Sequence, residues 1–376
     1  MNTLLAHDRP HMHIDLGVLA NNWRTVRRTF RGQRVGVVVK NDAYGLGISQ
    51  VAPLLWNLGC RDFWVSHSTE ALKLRGLLPE HSTRIMVLHG LGGIAPEDFA
   101  AHGLIPVLAG PHELHQLQGY GSKHGQAMPV AIHLDTGLTR LGFTGTNLHL
   151  LHDSRLQTDI KAMIWVSHLG RFSHPDAPEC LHQRHTFAAW LQQLPPAERS
   201  ITTSSSVFAN PAWHCDHARV GSALFGVQTA AQYQQPLQNV TSLYAPVMRV
   251  ADVPAYTEVG YAGQYRTSQN TRIATIAAGY GDGLPISLAP RGVLYLKGRP
   301  APIVGGIAMG MLGLDISAFA PGEIQPGMWA EIYGLHQPLA QLAATAGITP
   351  NALLACTGAL ALRRYMSPHS GQEPLV

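Results

Sequence analysis

The chain has 376 residues, of which 45% are hydrophobic and 13% are charged, and its formal net charge is only +4. This length and apolar content suit two folded domains, and the lack of basic runs interleaved with aromatic residues argues against nucleic-acid binding. The four cysteines form no CxxC pair, the 21 histidines show no zinc-binding spacing, and no apolar run approaches the ~18 residues of a membrane-spanning helix.

Short apolar strands alternate with amphipathic helices between about residues 17 and 227. Eight strands are predicted, at residues 35–40, 63–66, 85–89, 105–108, 130–134, 163–168, 201–205 and around Arg219. The predicted helices include residues 18–30, 49–58, 111–120 and 180–191. Eight strand–helix repeats indicate a (β/α)8 barrel of the TIM type, and no GxGxxG motif follows the first strand, which argues against dinucleotide binding.

The pattern changes at a polar, glutamine-rich stretch, residues 228–240. Beyond it, glycine and proline turns separate β-rich segments at residues 244–250, 272–278, 292–296, 303–307 and 328–333, with one helix at 337–346. We therefore predict an α/β chain with an N-terminal barrel domain over residues 1–235 and a mostly-β C-terminal domain over residues 236–376.

Lys40 stands at the end of a predicted strand that has no polar side chain. Such a strand delivers Lys40 to the mouth of the barrel, where this fold places its chemistry. An amine beside apolar surface loses solvation of its charged form, so its pKa falls from about 10.4 toward the range that Schiff-base chemistry needs. Position alone leaves open that Lys40 merely marks the strand end, but the chain has few lysines and a Tyr-Gly-x-Gly turn follows this one.

The segment Val38-Val-Lys40-Asn-Asp-Ala-Tyr44-Gly-Leu-Gly resembles the pyridoxal-phosphate lysine motif of the alanine racemase family. More segments match that family in the same order, from His13-Ile-Asp-Leu to Arg364-Tyr365, so the resemblance covers nearly the whole chain. It implies that Lys40 binds pyridoxal 5'-phosphate as the cofactor. It also implies a barrel followed by a β-rich domain, which the strand at residues 11–16 joins.

The resemblance also implies which residue faces the cofactor ring. The segment His217-Ala-Arg219-Val-Gly221-Ser222 resembles the family's Arg-Pro-Gly segment, so Arg219 is expected to contact the pyridine nitrogen. Because arginine is always protonated, it donates a hydrogen bond and keeps that nitrogen unprotonated. The ring is then a poorer electron sink, which limits side reactions such as transamination.

A phosphate site made of backbone and hydroxyl groups follows from the same match. Exposed N–H groups at a glycine turn are good anion ligands. The implied phosphate ligands are Gly221, Ser222, Tyr44, Tyr365 and one serine of residues 203–206. Ser204 and Ser205 both stay open as that serine, with the spacing slightly favouring Ser204.

Racemisation needs a base on each face of the substrate, because a proton leaves one face and another returns to the opposite face. Lys40 serves one face, and Tyr261, in a segment that resembles the family's Val-Ser-Tyr-Gly motif, is implied for the other. A free phenol ionises only near pH 10, so such a tyrosine needs a hydrogen-bonding neighbour. The resemblance implies His168 for that role and for contact with Arg219, although a lone histidine at a strand end is more often structural.

In the family this tyrosine comes from the other subunit, so the resemblance implies a head-to-tail homodimer with shared active sites. Tyr280, in Gly279-Tyr280-Gly-Asp-Gly, matches a turn whose tyrosine helps to form the entrance to the site. By itself this segment would read as a hairpin loop. Met309 matches a family methionine that faces the substrate from the partner subunit.

The chain departs from the family at two positions. Arg140 matches the arginine that orients the substrate carboxylate, but His133 replaces a lysine that many members carry as a carbamate. Neutral imidazole cannot supply the negative charge of a carbamate, so an anion or another side chain must position Arg140. Gly310 follows Met309 where the family has an aspartate, which changes the shape and charge of the substrate site.

The predicted function is racemisation of a small amino acid with pyridoxal phosphate, alanine being the expected substrate. The two departures leave open a racemase for serine or a larger, non-standard amino acid of a specialised pathway. They also leave open a cofactor-binding homologue with little racemase activity, and decarboxylation on the same fold. Spaced cysteines and an N-terminus without an apolar signal region predict a cytoplasmic protein with reduced thiols.

Overall fold

The computed structural model of the chain describes residues 8–78, 82–153, 156–171, 173–228, 230, 233 and 237–366. The predicted domain boundary between residues 235 and 236 lies outside these described residues. Two large sheets organise the described chain, one parallel and one mixed. Among the described residues no single helix has the length and apolar character to cross a membrane, although one sharply bent pair of helices passes that test together.

The parallel sheet is a barrel, as the strand–helix alternation predicts. Its strands are β2 (Arg34–Val38), β3 (Asp62–Val65), β4 (Arg84–Val87), β5 (Leu104–Leu108), β6 (Met128–His133), β7 (Ile160–Val166), β8 (Glu198–Ser200), β9 (Thr202–Thr203) and β10 (His217–Val220). They pair in the order β8-β7-β6-β5-β4-β3-β2-β10-β9. Because only Ile201 separates β8 from β9, these two segments act as one strand position and nearly close the ring. The (β/α)8 prediction is therefore confirmed.

Helices pack around the barrel strands. They are α1 (Leu16–Thr29), α3 (Ile48–Asn57), α4 (Ser68–Leu77), α5 (Pro96–Ala101), α6 (Pro111–Gln116), α7 (Tyr120–His124), α8 (Leu156–Asp159), α9 (Pro178–Leu191) and α10 (Ser206–Ala209), together with the short turn α2 (Lys40–Tyr44). In α1, Asp15 caps the first turn by accepting a hydrogen bond from the Val18 N–H at 2.9 Å. The predicted helix 111–120 is two helices, because the chain turns at Gly119, whose φ is +80°.

The second sheet contains most of the C-terminal strands and the first strand of the chain. Its strands are β1 (His11–Asp15), β11 (Thr241–Val253), β14 (Thr271–Ile276), β15 (Val293–Leu296), β16 (Arg299–Val304), β17 (Leu312–Asp315), β18 (Trp329–Tyr333) and β19 (Leu362–Met366). Because β14 pairs with both β17 and β11, six of these strands form a ring. β1 lies between β11 and β19, so the chain starts in this sheet before it enters the barrel.

Two smaller features complete the C-terminal part. β12 (Glu258–Val259) and β13 (Tyr265–Arg266) form a separate hairpin, and α11 (Leu339–Ala346) is followed by α12 (Pro350–Leu360). The apolar pattern did not predict α12, β17 or β19. The signal for α12 was present, since Thr349 is an N-cap residue and Pro350 occupies the first helical position.

The barrel interior is filled by its own apolar cluster. Its members are Trp64, Met86, Ile105, Val107, Ala131, Ile164 and Val166. Above this cluster the predicted strands are too long, because the chain leaves the sheet before its apolar run ends. β2 ends at Val38 and β7 ends at Val166. Lys40 and His168 therefore lie in the loops at the C-terminal mouth of the barrel, where a barrel fold presents reactive side chains.

Candidate active site

A cavity of about 380 Å³ opens at the C-terminal mouth of the barrel. This volume is within the range of small-molecule sites, roughly 300 to 1,000 Å³. Ten residues singled out in the sequence line it: Lys40, Tyr44, His133, Arg140, His168, Ser204, Ser205, Arg219, Gly221 and Ser222. Four others singled out there do not line it: Tyr261, Tyr280, Met309 and Tyr365. One folded chain thus assembles most of the predicted cofactor site.

The backbone after Lys40 is left-handed. Asn41, Asp42, Ala43 and Tyr44 have φ values between +52° and +58°. This conformation costs each L-residue roughly 1–2 kcal/mol, and strained backbone of this kind is concentrated at functional sites. Bonds from other elements hold the turn: Glu70 accepts from the Asn41 N–H at 2.6 Å, and Arg363 donates to the Asp42 carboxylate at 2.6 Å. The turn sets Lys40 and Tyr44 on the same cavity.

Lys40 lies in a strongly cationic environment. Burial lowers the pKa of its ammonium, the charge of Arg140 lowers it further, and Glu70 opposes the shift. Among the described residues, those that line the cavity include Lys40, Arg140 and Arg219 but no aspartate or glutamate. A cavity with this charge favours an anionic ligand, and a ligand with several negative groups suits it best.

Arg219 is buried and bonded only to neutral groups among the described residues. Its terminal nitrogens donate to the Ser200 carbonyl at 2.7 Å, to the Ser200 hydroxyl at 2.6 Å and to the Ser167 carbonyl at 2.6 Å. Burial lowers the pKa of the guanidinium to about 10, which still leaves it charged at neutral pH. None of the hydrogen bonds among the described residues uses its Nε, so this donor is available to a ligand in the cavity.

Two histidines beside Arg219 are neutral. Burial lowers the pKa of His133 to about 4 and that of His168 to about 3, and the charges of Arg219 and Arg140 act in the same direction. Nδ1 of His168 is buried without a hydrogen-bond partner in the described part of the chain. Because buried polar atoms are nearly always paired, this nitrogen indicates a missing neighbour at the cavity.

An anion cradle lies where β10 ends. The Ser204 hydroxyl accepts from the Gly221 N–H at 3.1 Å and from the Ala223 N–H at 3.3 Å, and the Tyr44 phenol packs directly against Gly221. Burial raises the pKa of Tyr44 to about 12, against a hydrogen bond with Ser222 that lowers it, so the phenol stays a neutral donor. Hydroxyl and backbone donors grouped in this way bind phosphate. Ser205 instead lies 3.4 Å from the Thr203 hydroxyl, so the geometry favours Ser204 as the ligand.

These features fit pyridoxal phosphate, which needs an amine for its aldehyde, a donor for its ring nitrogen and an anion site for its phosphate. Lys40, the unused Nε of Arg219 and the cradle at Ser204 and Gly221 supply one each. The described residues contain no group of three or more histidine, cysteine or acidic side chains placed to hold a metal ion.

Tyr365 lies behind the cavity rather than in it. Its phenol donates to the Leu46 carbonyl at 2.8 Å, so it supports the chain that follows Tyr44. Its predicted contact with phosphate stays a prediction.

The C-terminal part of the chain has an exposed apolar face, which consists of Tyr261, Tyr280, Met309 and Met311. Their side chains are 78%, 43%, 65% and 54% exposed. Backbone bonds join the loops of Tyr280 and Met309: the Tyr280 N–H donates to the Ala308 carbonyl at 3.0 Å and the Gly281 N–H donates to the Met309 carbonyl at 2.7 Å. The segment of Tyr261 lies beside them, since a Cβ at Gly260 would stand 3.4 Å from the Gly306 nitrogen. Large exposed apolar side chains that cluster in this way mark an interaction surface.

The two departures from the family pattern have visible consequences. Arg140 is exposed and makes no hydrogen bond or ion pair with any described residue, so none of these residues replaces the carbamate charge beside it. At Gly310 an added Cβ would meet no atom within 4 Å. The missing side chain at this position therefore leaves open space.

Some cavity residues were missed in the sequence. They are Ser66, Leu88, His89, Leu141, Thr203 and Asn351. Asn351 is the most informative of them, because its Oδ1 is buried without a partner among the described residues. It lies one helical turn before Ala355, whose carbonyl lies against Gly45. The cap and proline of α12 could have predicted the helix that carries Asn351, but only tertiary packing brings that helix to the turn of Tyr44.

Family models match nearly the whole chain. The model described as "Alanine racemase, N-terminal domain" matches residues 14–229, and the model described as "Alanine racemase, C-terminal domain" matches residues 240–365. The chain is 33% identical over 360 residues to an alanine racemase from Rhodospirillum rubrum, covering 95% of this chain and 96% of that protein. It is 35% identical over 356 residues to a catabolic alanine racemase from Rhizobium johnstonii, covering 94% of each.

Solved structures agree with these relatives. The crystal structure of alanine racemase from Bartonella henselae with covalently bound pyridoxal phosphate superposes with a TM-score of 0.91 at 31% identity, covering 95% of this chain and 99% of that one. The biosynthetic alanine racemase from Pseudomonas aeruginosa gives a TM-score of 0.86 at 26% identity, covering 95% and 99%.

Proposed function

This chain belongs to the alanine racemase family, and we propose that Lys40 and the Tyr261 of a partner subunit carry its two proton transfers. It is a pyridoxal-phosphate-dependent isomerase that interconverts L- and D-alanine. One observation supports the site assignment above all: Lys40, Arg219 and the Ser204–Gly221 cradle line the same cavity. When bound, the cofactor withdraws electrons from the substrate Cα and makes its proton removable.

Lys40 acts on one face of the substrate. Its lowered pKa provides a neutral Nζ at lower pH than a solvated lysine would, and only a neutral amine can take a proton from Cα. In the reverse direction the same Nζ, now protonated, returns the proton. Arg219 keeps its charge, and its Nε–H would donate a hydrogen bond to the ring nitrogen of the bound cofactor. The neutral His168 would pair its buried Nδ1 with a group that enters the cavity.

Tyr261 acts on the other face after two chains associate. The exposed apolar face that carries Tyr261, Tyr280 and Met309 supports this proposal, because the Tyr261 side chain is largely exposed to solvent in a single chain. A second copy that covers this face brings the tyrosine to the cavity of the first. The oligomer is thus a head-to-tail homodimer with two shared sites.

Arg140 binds the substrate carboxylate at the cavity mouth. Arg140 has no hydrogen-bond or ion-pair partner among the described residues, and this supports the role, since a guanidinium without a carboxylate neighbour is available to an anionic substrate. His133 stays neutral beneath it and adds no competing charge.

A cytoplasmic location agrees with four free cysteines at Cys60, Cys180, Cys215 and Cys356. We propose a domain boundary between residues 235 and 236, and the gap between the two family models supports it.

The test of the reaction uses the purified, cofactor-loaded protein. Chiral analysis with each alanine enantiomer is expected to yield the racemic mixture, and borohydride is expected to fix the cofactor on Lys40, as read by peptide mass. Lys40→Ala should lose the covalent product and nearly all turnover. Full activity in that variant would contradict the assignment. Deuterium entering Cα in heavy water separates racemisation from mere cofactor binding.

Shared sites are tested by mixing two inactive variants, Lys40→Ala and Tyr261→Phe. Each mixed dimer regains one intact site, so random mixing should restore about a quarter of wild-type activity. If the mixture recovers no activity, both bases come from the same chain. The separate homodimers serve as controls and should stay inactive.

A second candidate is racemisation of a larger amino acid such as serine. The open space at Gly310 favours it, since the family aspartate would narrow the substrate site there. Serine turnover comparable to alanine turnover would establish this broader reaction, and turnover of alanine alone would reject it.

A further inference from the structure

Trp64 and His217 form a buried pair that the proposed reaction does not use. Both side chains are fully buried, and Trp64 Nε1 donates to His217 Nε2 at 3.2 Å. Nε2 of the imidazole is therefore the acceptor, and Nδ1 carries the ring proton. That nitrogen lies 3.2 Å from a carboxylate oxygen of Glu198, which accepts from it. Each partner thus fixes the orientation of the next.

An ion-pair network holds this pair from the N-terminal end of the barrel. Arg84 binds Glu198 at 2.8 Å and Asp62 at 2.6 Å, and Arg34 binds Asp62 at 2.7 Å. These four charged residues and His217 are each the first residue of their strand: Arg34 in β2, Asp62 in β3, Arg84 in β4, Glu198 in β8 and His217 in β10. The two arginines and the two carboxylates give the network a net charge of zero. The network therefore holds His217 in place from below.

On the cavity side of the pair lies Arg219. Its guanidinium carbon is 5.6 Å from the centroid of the Trp64 ring, within the distance at which a cation is attracted to an aromatic face. Tryptophan is the best aromatic partner for such contacts, and the attraction is strongest when water is excluded. The indole stabilises the buried charge of Arg219, because the hydrogen bonds of this guanidinium to described residues go only to neutral acceptors of Ser200 and Ser167.

Gly36 makes room for the pair. It lies in β2, which runs between β10 and β3. A Cβ at this position would stand 2.5 Å from Trp64 Nε1 and 2.6 Å from His217 Nε2. Any larger residue would therefore push the indole and the imidazole apart. The glycine inside an otherwise β-branched strand is thus explained by close packing, not by a turn.

We propose that Trp64 is a positioning residue for Arg219, with His217 fixing the indole and the indole face holding the guanidinium at the base of the cavity. The inference rests on the proposed function, in which Arg219 faces the ring nitrogen of pyridoxal phosphate. A displaced guanidinium changes the hydrogen bond to that nitrogen. The affinity for the cofactor and its visible absorption, which depends on the charge state of the ring, then change together.

The test compares Trp64→Leu, Trp64→Phe and Trp165→Leu. Trp165 is the matched control, because it is also a buried indole on a barrel strand, but its Nε1 donates outward to Pro195 at 2.9 Å. For Trp64→Leu we expect the Kd for pyridoxal phosphate to rise about tenfold and the visible absorption maximum to shift. Trp64→Phe keeps an aromatic face and should change both less. Trp165→Leu should lower the unfolding temperature and leave both unchanged.

A wild-type Kd and spectrum in Trp64→Leu would overturn the proposal, as would equal changes in Trp165→Leu. If Trp64→Leu does not fold, Gly36→Ala replaces it in the test. This variant keeps the indole of Trp64, but the added methyl group displaces the indole from its position. It should shift the spectrum in the same direction, and an unchanged spectrum in a folded Gly36→Ala would count against the proposal. Failure of the proposed function is distinct and appears first, as a wild-type protein that does not bind pyridoxal phosphate through Lys40.

Discussion

Single residues of the cavity divide the work between charge and hydrogen bonding. Lys40, Arg140 and Arg219 bring positive charge, and none of the described residues that line the cavity is a carboxylate that would offset it. The two buried histidines stay neutral and so do not add to this repulsion. The neutral hydroxyl groups of Ser204 and Tyr44 sit apart from these cations at the cradle. Charge attracts the anionic ligand, and the cradle fixes one end of it.

Ser204→Ala is expected to weaken cofactor binding without loss of fold. Its hydroxyl organises the Gly221 and Ala223 N–H groups and faces the cavity. Loss of one such hydrogen bond costs on the order of 1 kcal/mol or slightly more, which predicts a rise in the Kd for pyridoxal phosphate of about tenfold. Ser205→Ala is the matched control and should leave the Kd near the wild-type value. A larger effect from Ser205→Ala would transfer the role to that residue.

Among the elements, the left-handed turn α2 carries the most functional consequence. It is too short and too strained to hold itself, and its bonds to α4 and to the C-terminal strand β19 supply the missing support. The helix α12 packs over the same turn, where Gly45 and Gly358 approach backbone to backbone. The position of Lys40 therefore depends on residues that are more than three hundred positions away.

Arg363→Met tests this dependence. The pair with Asp42 is partly exposed and so screened by solvent, and its loss should lower the free energy of unfolding by only about 1 kcal/mol. The Kd for the cofactor should rise more than this stability loss suggests, because the turn that places Lys40 and Tyr44 loosens. Arg299→Met breaks a surface pair with Glu323 and provides the comparison. Equal cofactor affinity in both variants would argue against the turn as the cause.

For the whole molecule, buried histidines make stability depend on pH. The folded pKa of His133 is about 4 and that of His168 about 3, both below the ordinary value of 6.5. As the pH falls below 6.5, these histidines take up protons in the unfolded chain but not in the folded chain. Their contribution to the free energy of unfolding is therefore fully present above pH 6.5 and declines toward pH 4. The carboxyls of Asp62 and Glu198, with folded pKa values of about 2, add a separate loss below about pH 4.5.

Urea unfolding of the cofactor-free protein at pH 7.5 and pH 5 measures the histidine effect. His133 and His168 should each account for about 2 kcal/mol of the loss, because the folded pKa of each lies below pH 5. His133→Gln should remove the share of His133 from the difference between the two pH values. An unchanged difference in that variant would show that other groups cause it.

The exposed apolar face predicts how the molecule assembles. Met311→Asp puts a charge in this face, where burial against a second copy would require its desolvation. We expect a shift from dimer to monomer in sedimentation and loss of at least about tenfold in activity, since each site lacks its second base. Leu335→Asp is the control, because Leu335 is 84% exposed and outside this face. A dimeric, active Met311→Asp would place the interface elsewhere.

Local patterns in the sequence were sufficient for the barrel, the β-rich C-terminal part and the position of Lys40, whereas the family resemblance supplied the other nine predicted residues of the cavity. The reason is that a buried parallel strand needs a continuous apolar run, and the residue that ends the run must face the barrel mouth. Lys40 is positioned in this way by strand order alone. The same reasoning fails for α12 and Asn351, since nothing local shows that a short alanine-rich helix packs against a turn from the other end of the chain.

Tertiary structure decided the remaining properties. The left-handed conformation after Lys40 is held by distant bonds from Glu70 and Arg363, and the neutrality of His133 and His168 arises from burial beside two arginines. The indole beneath Arg219 is visible only when β10, β2 and β3 are side by side. Sequence patterns report the intrinsic preference of each segment. Strain, desolvation and stacking depend on neighbours, and only the folded chain specifies those.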